Sequence, residues 1–289
     1  MNVLSLFNGM NTGRQALENV GIKVDKYYSS EIKPYAIELT QYHFPDTIQV
    51  GDVTKWQEWD IDWKTIDLVL SGSPCQDLSA AGKRAGIDGK KSSLFFTFIE
   101  ILEHIKSLNS NVLFFQENVG SANKLDIGIM SRALGVYPVR INSELLVAAS
   151  RDRYYWTNIR TRQDGMFGDL VTDIPQPKDK KVLFQSVLTS GYTDRKKARA
   201  VLESEERQLV NKEKLYKRYM ELGMINLVFD NPEFKPNENV RSLNKIELCR
   251  LQGFPDDYCD ILTRNHAASL LGDGWTLPII EHIFKFIRI

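Results

Sequence analysis

A cysteine stands directly after a proline at the point where an apolar run ends, in "SGSPCQDLS" (71–79). A lone cysteine is more often a small core residue than a nucleophile, so its position decides between the two. A buried structural thiol would more naturally lie inside the run 66–72, whereas Cys75 after Pro74 is held on a stiff elbow at the strand's end. The pattern therefore favours a thiolate nucleophile that faces a ligand beyond the sheet.

An acid and two arginines are further candidates for chemistry. Glu117 ends the nearly all-apolar stretch "FFQEN", where partial desolvation favours the protonated acid, which could give a proton to a ring nitrogen. Arg151 and Arg153 in "SRDRYYW" are two residues apart, so on a strand they would share a face and could address one oxygen-bearing ligand or a phosphate. The alternative for each is an ordinary solvated side chain.

The first predicted strand is followed by a glycine turn that indicates a nucleotide site. Gly9 and Gly13 lie between a strand and a helix, but their spacing is not GxGxxG, which weighs against a dinucleotide. Glu31 ends the second strand, where an acid can accept hydrogen bonds from ribose hydroxyls, and Asp52 follows the third. Singly these are ordinary turn residues. Together, at successive strand ends, they favour an adenosine cofactor without a pyrophosphate, S-adenosylmethionine.

Two basic segments could bind a polyanion. The loop 80–91 has three glycines and four cations against one acid, which suits a lid that closes over phosphates, although a plain surface connector has the same composition. Residues 178–199 carry seven Lys and Arg against two Asp. The net charge of the whole chain is zero, but nucleic-acid binding needs only a local basic face.

Strand and helix patterns alternate over residues 1–159, with the clearest helix predicted at 92–108. This alternation predicts an α/β fold with a doubly wound, mostly parallel sheet, which binds ligands beyond the carboxyl ends of its strands. The polar stretch 160–257 is interpreted as a second, smaller module. The apolar segment 258–289 is predicted to return to the first domain.

The composition limits the class of protein. Cys75, Cys249 and Cys259 are odd in number and lack CxxC spacing, so neither a disulfide framework nor a zinc site is expected. A reducing, intracellular location, cytoplasmic or nucleoid-associated, fits that usage. The amino-terminal stretch does not resemble a signal peptide, and since no apolar run approaches ~20 residues, no membrane span is expected.

The motifs together, in their order, resemble the carbon-5 cytosine-specific DNA methyltransferases, in detail most nearly the de novo animal-type branch. The likeness runs through "LFNGMNTG", "SSE", "GDV", "SPCQDLS", "ENV", "SRDRYYW", "RSLNKIELCRLQGFP" and "LLGDGWTLPIIEHI", excluding the variable middle. It implies the S-adenosylmethionine-dependent methyltransferase fold, with 1–159 as the catalytic and cofactor-binding domain and 160–257 as a small target-recognition domain and hinge. It also implies double-stranded DNA as partner and a restriction-modification setting. The sequence sets no oligomeric state, and a monomer is compatible with it.

The resemblance further implies a role for each residue. Cys75 would add to carbon 6 of a flipped-out cytosine, Glu117 would protonate ring nitrogen 3, and Arg153, supported by Arg151, would hold the 2-oxo group. The methyl group would then pass to carbon 5, leaving S-adenosylhomocysteine, with no metal required. The implied cofactor-binding residues are Phe7, Asn8, Gly9, Asn11, Thr12, Gly13, Glu31, Ile32, Asp52, Val53, Ser73, Pro74, Gly274 and Trp275. The implied DNA-binding residues are Ser79, Lys83, Arg84, Lys180, Lys181, Lys196 and Lys197.

Two alternatives remain open from the sequence. An RNA cytosine methyltransferase would have the same fold, but the RNA-acting branch usually has Pro-Pro-Cys-Gln where this chain has Ser-Pro-Cys-Gln. An inactive relative that only binds DNA would be expected to have lost a catalytic residue, and all four catalytic candidates are present.

Overall fold

Strands and helices follow the predicted alternation in the computed structural model, which describes residues 1–74, 93–166, 168–202, 211–223, 225–234 and 240–288. The predicted residues Cys75, Ser79, Lys83 and Arg84 and the loop 80–91 lie outside the described residues. The strands are β1 (Asn2–Leu6), β2 (Lys26–Ser30), β3 (Ile48–Gln49), β4 (Leu68–Ser71), β5 (Leu113–Val119), β6 (Val139–Asn142), β7 (Ala149–Ser150), β8 (Asp152–Thr157), β9 (Thr161–Asp164), β10 (Asp169–Thr172), β11 (Ala198–Arg199), β12 (Val228–Phe229) and β13 (Val240–Arg241). The helices are α1 (Thr12–Asn19), α2 (Pro34–His43), α3 (Ser93–Leu108), α4 (Lys124–Leu134), α5 (Lys212–Lys217), α6 (Lys245–Gln252), α7 (Arg264–Asp273) and α8 (Leu277–Phe284).

The central sheet has the strand order β3-β2-β1-β4-β5-β8-β6. β1 pairs in parallel with β2 and with β4, β2 with β3, and β4 with β5, while β8 runs antiparallel to β5. The predicted α/β fold with a doubly wound, mostly parallel sheet is therefore confirmed. The strand order changes direction between β1 and β4, and such a switch point at the carboxyl ends is where open sheets bind ligands.

Helices cover both faces of this sheet because its central strands are apolar on both sides. Phe114 of β5 belongs to the core under α3, whose residues Phe95, Phe98, Ile101, Leu102 and Ile105 recur at helical spacing and are all buried. The next residue, Phe115, points to the other face and meets the ring of Phe284 in α8 edge to face at 5.7 Å. Each such fully buried side chain contributes roughly 1.5–3 kcal/mol.

The described chain divides into two compact units. The first comprises 1–141, 152–176 and 281–289, and the second comprises 142–151 and 177–280. These bounds differ from the predicted ones at 142–151 and 258–280, which lie in the second unit, and at 160–176, which lies in the first, so only 281–289 of the predicted C-terminal segment belongs to the first unit. In 160–176, β9 and β10 form a hairpin whose last residue receives a hydrogen bond at its Thr172 hydroxyl from the Thr157 amide of β8 (3.1 Å). Sequence reasoning took the polar composition of this hairpin as the start of the second module. Its proposed role in target recognition stays a prediction.

Two other segments are more irregular than their patterns suggest. The strand predicted over 137–146 ends at Asn142, because the Asn142 side chain accepts a hydrogen bond from the Glu144 amide and caps a short 3-10 turn. The described part of the predicted helical run 203–222 consists of α5 and a π-helical turn, Arg218–Leu222. Within the described ranges, no helix combines the length and apolar character needed to cross a membrane.

A pair of glycine substitutions tests the packing at the end of α6. Gly253 follows this helix with a φ of 79°, and a Cβ there would lie 2.3 Å from Cδ of Pro278. Gly21 has the same φ of 79° but no atom within 4 Å of such a Cβ. We expect Gly21→Ala to lower the free energy of unfolding by about 1–2 kcal/mol, the strain of a left-handed alanine. Gly253→Ala should cost about 3 kcal/mol or more, because overpacking adds to that strain.

Chemical denaturation of both variants measures the difference. Equal losses for Gly21→Ala and Gly253→Ala would show that the close approach of Pro278 does not constrain position 253.

Candidate active site

The loop after β1 is an unusual turn held by backbone hydrogen bonds. Phe7, Gly9 and Asn11 all have left-handed backbones, with φ of 55°, 57° and 63°. Non-glycine residues in this conformation are strained, by on the order of 1–3 kcal/mol each, and such strain concentrates at functional sites. The amide of Asn8 donates to the Ser30 carbonyl at 3.1 Å, which joins the turn to the end of β2.

Glu31 fixes this turn through its carboxylate. Its Oε2 accepts a hydrogen bond from the Gly9 amide at 2.7 Å, and its Oε1 accepts from the amides of Ile32 and Lys33 at 2.7 and 2.9 Å. Two carboxylate oxygens offer about four acceptor positions, so capacity remains for a ligand hydroxyl. The side chain of Ile32 is 71% exposed beside this carboxylate.

The two asparagines of the turn differ in what they contact. The side-chain amide of Asn8 is hydrogen-bonded within the protein. Its Oδ1 accepts from the Tyr27 hydroxyl at 3.2 Å, and its Nδ2 donates to the Thr40 hydroxyl at 3.4 Å. Burial raises the pKa of Tyr27, which keeps its hydroxyl a donor. Asn11 is fully buried, yet neither Nδ2 nor Oδ1 has a partner among the described residues. An unmade buried hydrogen bond costs about 1–3 kcal/mol, which a polar ligand would recover.

The remaining predicted cofactor residues of this unit follow strand ends or begin α1. Thr12 and Gly13 are the first, buried residues of that helix. Asp52 is exposed and accepts from the amide and hydroxyl of Thr54, both at 2.9 Å, and these hydrogen bonds lower the pKa of Asp52. Val53 is only 6% exposed and its side chain belongs to the core, which leaves its backbone for a ligand.

Glu117 and Arg153 meet on one face of the sheet. The β5–β8 register pairs Glu117 with Tyr155 and Val119 with Arg153, so the two charged residues are diagonal neighbours that long side chains can bridge. Arg153 Nε lies 2.7 Å from Oε1 of Glu117, with side chains 15% and 11% exposed. The N–H does not point along this contact, so the charges pair without an aligned hydrogen bond. Sequence reasoning placed both residues at the site but missed their ion pair.

The prediction that Arg151 and Arg153 share the face of one strand is wrong. β7 ends at Ser150 and β8 begins at Asp152, so Arg151 lies in neither strand. Its side chain is directed within the second unit, where Nη1 donates to the Gly272 carbonyl at 2.9 Å and Nη2 to the Asp273 carbonyl at 3.4 Å. These carbonyls close α7 directly before Gly274 and Trp275. Arg151 thus supports the last predicted motif.

The residues before the predicted nucleophile are tied to β5. Ser73 is buried, and its hydroxyl accepts a hydrogen bond from Nε2 of Gln116 at 3.1 Å. Pro74 is partly buried and is the last described residue before Cys75. Gln116 was not among the predicted site residues. The signal that could have found it is an amide inside the otherwise apolar run "LFFQ".

The basic residues predicted to contact DNA do not behave alike. Lys180, Lys181 and Lys196 are exposed. Lys197 is partly buried, and its ammonium donates to the carbonyls of Glu144 and Val147 at 2.6 and 3.0 Å. Lys197 therefore holds the backbone of residues 144–147, which belong to the same unit. The prediction that Lys197 binds phosphate in the same way as its neighbours does not fit this contact.

The two described cysteines, Cys249 and Cys259, are free and buried. Contact with Cys249 and burial both raise the pKa of Cys259, so the Cys259 thiol does not resemble an activated nucleophile. Within the part of the chain that the structure describes, no group of three or more His, Cys, Asp or Glu side chains is arranged to hold a metal ion.

Comparison with known proteins places this geometry in context. A sequence model of the C-5 cytosine-specific DNA methylases matches residues 1–132 and 143–288. The orphan methyltransferase M.SPRI of Bacillus phage SPR is 33% identical over 175 residues, which cover 55% of this chain and 38% of that protein. The type II methyltransferase M.HpaII of Haemophilus parainfluenzae is 26% identical over 98% of this chain and 88% of its own. The chain spans less than half the length of several curated relatives that it matches.

The fold is also found among solved structures. The methyltransferase EhMeth of Entamoeba histolytica superposes with a TM-score of 0.70 at 16% identity, over 99% of this chain and 97% of that one. At this identity the likeness shows the fold alone.

The exposed lysines yield a prediction about nucleic-acid binding. Replacing Lys180, Lys181 and Lys196 together by Gln should weaken binding to all duplex sequences alike. Each lost phosphate contact should also lower the slope of log K against log salt by about 0.9. Binding titrations over a range of salt concentrations measure both effects, with Lys64→Gln, an exposed lysine outside the basic stretch, as control.

Lys197→Gln should behave differently from that triple variant. It should lower the free energy of unfolding by about 1–3 kcal/mol, since the shorter glutamine side chain removes the ammonium that donates to both carbonyls. If the triple variant keeps the affinity and salt slope of the wild type, the exposed lysines are merely solvated.

Proposed function

The chain belongs to the C-5 cytosine-specific DNA methylase family, and on this basis we propose that it transfers a methyl group from S-adenosylmethionine to carbon 5 of cytosine in double-stranded DNA. The observation that carries the proposal is the Glu117–Arg153 pair, 2.7 Å apart at the carboxyl end of β5. This end of a parallel sheet is where the fold binds its ligands.

The pair offers cytosine two donors side by side. Cytosine presents ring nitrogen 3 and the 2-oxo group as neighbouring acceptors. When the base enters, their mutual contact would be replaced: Glu117, once it has taken up a proton, would donate to the nitrogen, and the Arg153 guanidinium would donate to the oxygen. Thymine carries a hydrogen on nitrogen 3 and cannot accept there, so the same pair would discriminate against it. Because this edge of the base is paired within a duplex, the base must be flipped out to reach these groups.

The turn after β1 fits an adenosine cofactor. The Glu31 carboxylate has acceptor capacity left, and the buried Asn11 amide has a donor and an acceptor without partners among the described residues. These groups would bind the hydroxyl and charged groups of S-adenosylmethionine, which supplies the methyl group when bound. The left-handed turn brings backbone close to such a ligand.

Cys75 is proposed as the nucleophile on its sequence position. Its thiolate would add to carbon 6 of cytosine while Glu117 gives a proton to nitrogen 3, which turns carbon 5 into an enamine carbon able to take a methyl group. After carbon 5 takes the methyl group, with S-adenosylhomocysteine as the leaving group, a base such as water would accept the proton from carbon 5. The thiolate would then leave carbon 6, and the proton on nitrogen 3 would return to Glu117, which restores the ring. Glu117 thus stabilises the charge that develops on attack, and Arg153 keeps the ring in register. A role in restriction-modification is part of this proposal.

Labelled cofactor tests the substrate class. Incubated with tritiated S-adenosylmethionine, the protein should label duplex DNA and leave RNA of the same sequence unlabelled, and bisulfite sequencing should locate the product at carbon 5 of cytosine. Label in RNA alone would identify an RNA methyltransferase on the same fold. Label in neither would point to an inactive relative.

Trapping tests Cys75. Fluorine cannot leave carbon 5 as a cation, so a duplex with 5-fluorocytosine at the target should form a cofactor-dependent adduct that survives denaturing electrophoresis. Cys75→Ser should abolish it, because a hydroxyl is a far weaker nucleophile than a thiolate. The matched controls Cys249→Ser and Cys259→Ser should still trap, since both residues are buried. An adduct formed by Cys75→Ser would show that another residue attacks the base.

A further inference from the structure

Gln116 is a fully buried amide that contacts two parts of the proposed site. Its Nε2 donates to the Ser73 hydroxyl at 3.1 Å and to the backbone carbonyl of Glu117 at 2.7 Å. Ser73 precedes Cys75 by two residues in sequence, and Glu117 is the proposed acid. One side-chain nitrogen therefore links the segment that leads to the nucleophile with the residue that would protonate the base.

The orientation of this amide follows from its partners. A carbonyl oxygen can only accept, so the group facing the Glu117 carbonyl must be the NH2 of Gln116. Its second hydrogen then reaches Ser73. The amide oxygen is buried without a partner among the described residues. A leucine or methionine would fill the same place in this apolar strand without leaving a buried oxygen unpaired.

The strand register explains why a side chain is needed here. β4 ends at Ser71, which lies opposite Gln116 in the parallel ladder, while β5 continues to Val119. Ser73 therefore lies beyond the last paired residue of β4. The hydrogen bond from Gln116 extends the connection between the two strands past the end of their backbone pairing.

We propose that Gln116 is a positioning residue for methyl transfer, acting through Ser73 on the segment that carries Cys75 and through the backbone on Glu117. The inference rests on the proposed function and deepens it. A nucleophile and an acid that act on one ring must keep a fixed separation, and a misplacement of ~1 Å can cost ~100-fold in rate. The bonds from Gln116 hold Ser73, which precedes Cys75 by two residues in sequence, relative to the backbone of Glu117.

Three variants and one control test the role. Gln116→Met removes the donor at similar size, Gln116→Glu replaces it by a group that cannot donate when ionised, and Ser73→Ala removes the acceptor. The control is Ser131→Ala. Ser131 is likewise a buried serine whose hydroxyl accepts a side-chain N–H, from Trp156 at 3.0 Å, but it contacts no proposed site residue.

We expect kcat and the rate of adduct formation on 5-fluorocytosine DNA to fall about 10- to 100-fold in the three variants. In the two Gln116 variants the KM for DNA and the Kd for S-adenosylmethionine, measured by calorimetry, should change less than about threefold, because Gln116 contacts neither the turn after β1 nor the basic stretch. Ser131→Ala should keep the wild-type kcat, and Ser73→Thr, which retains the hydroxyl, should recover most of the rate. The double variant Gln116→Met/Ser73→Ala should be no slower than the slower single variant, since both remove one shared bond.

The outcomes separate the two proposals. If the wild type transfers no methyl group to DNA, the proposed function fails, and this inference fails with it. If the wild type is active but Gln116→Met and Ser73→Ala match Ser131→Ala in kcat and trapping rate, only the positioning role is wrong. Variants that lose stability in denaturant while the folded fraction keeps full kcat would likewise overturn it.

Discussion

The parallel pairing of β1 with its two neighbours is the constraint on which the candidate site depends. Leu6 lies opposite both Ser30 of β2 and Ser71 of β4, so the three strands end together. The loops after these strands therefore start at the same level of the sheet. As a result, the turn after β1, the Glu31 carboxylate and Ser73 lie at the same edge. A slip of one residue would exchange the two faces of a strand and destroy both the core and this edge.

Several features at this edge of the sheet are unfavourable for the stability of the fold. Apolar residues such as Phe114 and Phe115 fill the middle of β5, and polar ones follow immediately as the strand reaches the site. Strained backbone at Phe7 and Asn11 is unfavourable for folding, and so are the side-chain amides of Asn11 and Gln116 where they lack partners among the described residues. The extensive core beneath α3 offsets them. The supports of the candidate site are thus buried, and some of its polar groups have no partner within the described part of the chain.

Sequence patterns were sufficient where one physical effect dominated. Apolar runs predicted β1, β2, β4 and β5, helical spacing predicted α3, and strand ends predicted Glu31 and Glu117. Patterns were insufficient where a residue's neighbour came from a distant segment. Two-residue spacing suggested that Arg151 lies beside Arg153, but Arg151 lies between β7 and β8 and donates to the carbonyls at the end of α7. The basic composition around Lys197 likewise gave no sign that its ammonium donates to two backbone carbonyls. The polar composition of the β9–β10 hairpin gave no sign that the hairpin belongs to the first unit.

The contact between Phe115 and Phe284 has a consequence for how the protein is made. A ribosome delivers β5 early, whereas the helix that covers one face of β5 belongs to residues 277–284 and is translated much later. The first unit is assembled from three separate stretches of chain, with the second unit's residues between them. During synthesis the face of β5 around Phe115 therefore lacks this cover, and its aromatic residues are open to nascent-chain chaperones or to other unfinished copies. Covering this part of the sheet is a late, long-range event, so translation speed and chaperone supply would affect the yield of native protein in addition to the stability of the final fold.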